Sequence, residues 1–257
     1  EWHEPIFERA RARGLVPFST PFDDTAVDFL ETLDAPLYKI ASFEIVDLPL
    51  IQRVAATGKP LIISTGMASE SDIDEALGAA RSAGNKQIVL LKCTSSYPAT
   101  TADMNLAAIP LLAERFDCLV GLSDHTLDNV SAIAAVALGA TVIEKHLTLD
   151  RAAGGVDSAF SLEPHEFASL VRDTHTAWHA GGTALLGTSP AEQGSLIFRR
   201  SLYVVADIAA GDPFTRANVR AIRPGYGMKP GRLKDVLDRV AAEDIPRGTA
   251  LTDDLIA

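Results

Sequence analysis

Six short apolar runs, near residues 15–19, 36–42, 60–65, 87–94, 118–123 and 141–146, punctuate the first part of this chain, with helix-patterned stretches between them. The runs are continuously apolar rather than alternating, as strands buried on both faces require. Parallel strands joined by helical crossovers are the architecture such a grammar permits. Polar residues stand at every carboxyl end: Ser19 and Thr20, Lys39 with Ser42 and Glu44, Ser64 and Thr65, Thr94 to Tyr97, Ser123 to His125, and Glu144 to His146. An open doubly wound sheet concentrates its site at one switch point, whereas a barrel gathers all its strand ends around one mouth. A barrel is therefore expected over residues 1–180. Eight βα units at about 30 residues each exceed that span. The expectation is an α/β, TIM-type (β/α)8 barrel that lacks its first two βα units.

Residues 181–199 have the Gly, Ser and Pro content of a linker. Beyond them the texture changes. ADIAAGDPFTRANV (206–219) and EDIPRGTALTDDLI (243–256) align at a constant offset, pairing Asp207 with Asp244, Ile208 with Ile245 and Gly211 with Gly248. This internal repeat predicts a small, pseudo-symmetric, β-rich module over 200–257.

The formal net charge of −11 argues against nucleic-acid or anionic-membrane partners. No run approaches the ~20 apolar residues of a membrane span, and a cytoplasmic location is expected. Cys93 and Cys118 lie in predicted strands without metal or redox spacing, so both read as buried reduced thiols. His125 and His146 end neighbouring strands, near enough to share one divalent ion or one substrate. A metal pair, and an acid beside a structural imidazole, are both open readings. Lys39 reads as an anion clamp, with Thr20, Ser64 and Ser123 as neutral donors at the same mouth. Glu44 is either an acceptor for a sugar hydroxyl or a solvated charge. His3, His165, His175 and His179 read as surface residues.

YKIASFEIVDLPLI (38–51), LIISTGMA (61–68), LLKCTSSYP (90–98), VGLSDHT (120–126), VIEKHLTLDR (142–151), DSAFSLEP (157–164), RRSLYVV (199–205) and IRPGYGMKP (222–230) together resemble the sialic-acid synthase family. The wording of YKIASFEI, DSAFSLEP and RPGYG is most similar to its pseudaminic acid branch. The resemblance implies a TIM barrel followed by an antifreeze-like SAF domain. It also implies condensation of phosphoenolpyruvate with an N-acetylated 6-deoxy amino sugar to give pseudaminic acid and phosphate. N-acetylneuraminate or legionaminate synthesis, and a non-catalytic carbohydrate-binding fragment, are the alternatives. Carried over by residue, a divalent metal, manganese or magnesium, falls on His125 and His146, which with Lys39 form the catalytic set. The phosphoenolpyruvate groups fall on Thr20, Lys39, Ser42, Ser64, Ser95 and Ser123. Tyr97, Glu44 and Asp157 fall on sugar contacts. Arg223 falls on an SAF arginine that reaches the partner barrel of a homodimer. The family's glutamate and lysine on its first two strands have no counterpart here, so this chain is expected not to turn over substrate by itself.

Overall fold

The computed structural model describes residues 2–257, and the chain divides between Gly182 and Thr183 into two compact units. The first runs α1 (His3–Ala12), α2 (Asp24–Thr32), β1 (Tyr38–Ile40), α3 (Leu48–Ala55), β2 (Leu61–Ser64) and α4 (Glu70–Ser82). It continues through β3 (Ile88–Cys93), α5 (Ala108–Phe116), β4 (Leu119–Asp124), α6 (Val130–Ala137), β5 (Val142–Lys145) and α7 (Pro164–Gly181). The five strands form one parallel sheet in chain order. Helix starts follow local chemistry: Asp23 accepts from Ala26 N, Asp47 from Leu50 N, and Ser69 and Asp72 close a capping box before α4.

Six strands are expected in this unit, and five form among its described residues. At 15–19 only Ser19 makes a bridge, to Tyr38. Pro17 has no N–H to give a ladder, and Leu15 and Val16 are 65% and 62% exposed, so no buried face pulls this run into the sheet.

Ile40, Ile63, Leu90 and Val120 lie in one register row and are all buried in the main apolar core. Side chains alternate across a strand, so the opposite face carries Lys39, Ser64, Cys93, Ser123 and Glu144. On a flat sheet β1 and β5 would stand ~19 Å apart, four inter-strand spacings. Lys39 Nζ nevertheless lies 3.5 Å from Glu144 Oε2. The sheet therefore curls around this face, and among the described residues it is an arc of five strands rather than a closed ring.

The second unit contains β6 (Ser201–Val204), β7 (Val219–Ile222) and a short α8 (Leu233–Leu237). Within the stretch expected as a linker, Pro190–Phe198 forms a 3-10 helix, closed at its start by a capping box of Ser189 and Glu192. β6 and β7 pair antiparallel, and the remaining connections are isolated bridges. The repeat is visible in the bonding. Ile208 and Ile245, equivalent positions, bridge each other, with N–H to carbonyl distances of 3.0 and 2.8 Å. Asp207 accepts from Arg247 N, and its counterpart Asp244 accepts from Ala210 N, both at 2.7 Å. Gly211 donates to Ala241 O and Gly248 to Val204 O, both at 2.8 Å. Each copy thus completes the other's backbone bonding around a local two-fold.

Candidate active site

The carboxyl ends of the five strands converge on the concave face. Lys39 is 6% exposed; its ammonium donates to Ile40 O at 3.0 Å and faces Glu144 at 3.5 Å. Burial pushes the Lys39 pKa down, opposed chiefly by Glu144 and also by Glu44. Glu144 accepts from Ser123 Oγ at 2.6 Å through its other oxygen. Ser42 and Ser95 hydroxyls meet at 2.9 Å. A Cβ at Gly66, whose φ is +51°, would lie 2.5 Å from Ser42 Cβ, so glycine is what lets that loop close against the serine pair. Ser64 Oγ and Glu44 Oε2 are buried without a hydrogen-bond partner, and each retains unused capacity toward a ligand.

A second group lies at the ends of β4 and β5. The His125 and His146 rings stand 5.3 Å apart, Tyr97 packs at 4.4 Å from His125, and Phe160 contacts all three at 5.0 to 6.2 Å. His125 Nδ1 lies 3.0 Å from Thr94 O. A carbonyl can only accept, so Nδ1 carries the proton and Nε2 keeps its lone pair. Asp157 Oδ2 lies 3.6 Å from His146 Nδ1.

Burial holds the His125 pKa below the ordinary imidazole value, with His146 adding to the shift and the Thr94 carbonyl opposing it. The unfolded chain takes up this proton near pH ~6.5 while the folded chain stays neutral, so the folded state is favoured in full above that pH. Stability falls as pH drops from there toward the lowered folded value. Urea titrations between pH 7 and 5 should show this slope, and His125→Gln should remove His125's share of it; an identical slope in the variant would refute the assignment.

Of the residues expected from sequence, Lys39, Ser42, Ser64, Ser95, Tyr97, Ser123, His125, His146 and Asp157 lie at this end of the sheet. Glu44 opens the 3-10 turn after β1, within electrostatic reach of Lys39. Thr20 is half-buried beside the Ser19 bridge and makes no hydrogen bond among the described residues. Arg223 belongs to the second unit and is exposed. Glu144 and Phe160 were given no role from sequence. The signal for Glu144 was its place beside His146 at a strand end; Phe160 sits inside DSAFSLEP, where nothing local distinguishes it from a core residue. His3, His165, His175 and His179 are exposed, Cys93 is buried and Cys118 half-buried.

The NeuB family matches residues 1–185, and the SAF domain matches residues 199–257. The chain belongs to the NeuB family. It is 40% identical over 255 residues to pseudaminic acid synthase of Helicobacter pylori, covering 99% of this chain and 75% of that protein. It is 38% identical over 245 residues to N,N'-diacetyllegionaminic acid synthase of Campylobacter jejuni, covering 94% of this chain and 73% of that protein. The crystal structure of spore coat polysaccharide biosynthesis protein SpsE from Bacillus subtilis superposes with a TM-score of 0.68 at 33% identity, covering 100% of this chain and 77% of that one. This NeuB-family chain therefore joins a curled parallel sheet to an SAF domain in one polypeptide. No helix among the described residues is long and apolar enough to cross a membrane.

Proposed function

We propose that this chain serves the condensation of phosphoenolpyruvate with an N-acetylated 6-deoxy amino sugar, giving pseudaminic acid and phosphate. The observation that carries the reading is the convergence of one buried lysine and a set of hydroxyls on one concave face, in a chain 40% identical to a pseudaminic acid synthase. Lys39 places a positive charge where a phosphate or carboxylate would lie, against the negative charge of the chain as a whole. Ser42, Ser95 and the unpartnered Ser64 hydroxyl are positioned to orient it. Carbon 3 of the enol attacks the open-chain aldehyde, water adds at carbon 2, and phosphate leaves with carbon–oxygen cleavage. Tyr97, Glu44 and Asp157 would contact the sugar.

The imidazole pair fits a divalent ion. His125 is neutral and its Nδ1 is occupied by a carbonyl, leaving Nε2 to ligate beside His146. His125 and His146 would be the protein's donors, with water and substrate completing the set. A bound manganese or magnesium would polarise the aldehyde oxygen as a Lewis acid. In the same reading the chain acts in the cytoplasm as a homodimer, with Arg223 completing the partner's site.

Calorimetry with phosphoenolpyruvate and manganese tests the reading. Binding that is stoichiometric with the chain is expected, and its absence would overturn the assignment. Phosphate release should then favour the 6-deoxy diacetamido sugar of the pseudaminic series; preference for the sugar precursor of legionaminate or N-acetylneuraminate would move the specificity to that alternative.

A further inference from the structure

The face of the sheet away from the site carries an ion pair that the chemistry above does not use. Asp124 and Lys145 are register partners in the last rung between β4 and β5, and neither side chain is exposed at all. Lys145 Nζ lies 2.6 Å from Asp124 Oδ2, 3.2 Å from Thr126 Oγ1 and 3.1 Å from Asp128 O. Its three protons therefore meet three acceptors, and Asp124 Oδ1 accepts from Thr126 N at 2.8 Å. All of the ammonium's partners belong to residues 124–128, so one side chain of β5 fastens the whole turn that follows β4.

The sequence sets each ion between two site residues: Ser123 and His125 flank Asp124, and Glu144 and His146 flank Lys145. Strand side chains alternate, so an ion buried against the helices fixes its neighbours on the concave side. The ladder ends at this rung, and both histidines stand one residue beyond the last paired positions. Beyond it the backbone ties each histidine to a loop and not to the other: His125 O accepts from Ala99 N at 3.2 Å, and His146 O from Leu162 N at 2.9 Å. A well-packed apolar pair in place of a buried ion pair is often as stable or more so, and the best-attested use of such a pair is to fix register. A slip of β5 by one residue against β4 would turn Glu144 toward the helices and put Lys145 in the site.

We infer that Asp124 and Lys145 are positioning residues: their buried ion pair fastens the β4 turn to β5 and thereby sets the spacing of His125 and His146 and the Ser123–Glu144 bond. The inference rests on the reading of those histidines as a site, and its test is made on geometry so that the two can fail separately. In the parent chain, selectively labelled at histidine, the two rings at 5.3 Å should give a nuclear Overhauser cross-peak. The double variant Asp124→Leu/Lys145→Met should keep a cooperative melt at an equal or higher temperature. It should lose the cross-peak, and its manganese affinity, read from the free-ion spin-resonance signal, should fall at least tenfold. A purely stabilising pair would instead lower the melting temperature and leave the rings in contact. An intact cross-peak in the folded double variant overturns the inference. If the double variant does not fold, Asp124→Glu keeps both charges and lengthens the pair by one methylene; a weakened cross-peak supports the inference and an unchanged one overturns it. A parent chain that binds no manganese refutes the metal reading and leaves the cross-peak test standing.

Discussion

Replacing Lys39 by methionine should weaken phosphoenolpyruvate binding by ~10- to 100-fold, the worth of a charge-assisted hydrogen bond, and should leave the fold as stable or more stable. The two effects have one cause. Lys39 is buried and its pKa is pushed down by that burial, so the folded chain holds this charge at a cost that Glu144, at 3.5 Å, only partly offsets. Methionine fills nearly the same volume without the charge. Glu144 remains 36% exposed and hydrogen-bonded to Ser123, so water can accept the oxygen that lysine leaves. Calorimetric affinity and the urea midpoint, measured on the same preparations, separate the outcomes. Affinity within threefold of the parent would remove Lys39 from the site, and a large loss of stability would make it a structural residue.

The second large effect is expected at Gly121. This residue lies between Leu91 and Val142 in one register row, and a Cβ built there would fall 2.3 Å from Val142 O and 2.6 Å from Leu91 Cδ2. Neither can yield cheaply, because Val142 O is ladder backbone and Leu91 is fully buried. Alanine alone must push β5 from β4 or displace Leu91, at about 3 kcal/mol, the upper part of the range for overpacked cores. Since Ser123 and Glu144 lie on the next row of this face, any folded fraction of Gly121→Ala should also lose their contact. A urea midpoint within experimental error of the parent would show that the strands separate more easily than this geometry allows.

How much of this could be read beforehand differs from residue to residue. The strands at 38–40, 61–64, 88–93, 119–124 and 142–145 announce themselves by continuous apolarity, and a polar residue at the end of such a run has to stand where the sheet meets solvent. That local logic puts His125 and His146 side by side. It says nothing of Lys39 meeting Glu144, because that contact depends on curvature accumulated over four strand pairings, which no single stretch encodes. Lys145 shows the opposite limit. Its position within EKH marks it as a strand-end charge, yet alternation sends it to the helix side, where its partner is Asp124 rather than a substrate. The run at 15–19 misled for a different reason: apolar composition supplied the propensity of a strand, while Pro17 and the exposure of its neighbours withheld the pairing.

The reciprocal bonds of the second unit bear on how it folds. Asp207 serves residue 247 and Asp244 serves residue 210, so each half closes its bonds only when the other, some 37 positions away in the chain, is already in place. Neither half can act as a local nucleus, and the order of events is set by long-range closure rather than by the propensity of any segment. The unit should then melt in an all-or-none step, with amides of both copies exchanging at one common rate, and a peptide of either copy alone should stay unstructured until the other is added.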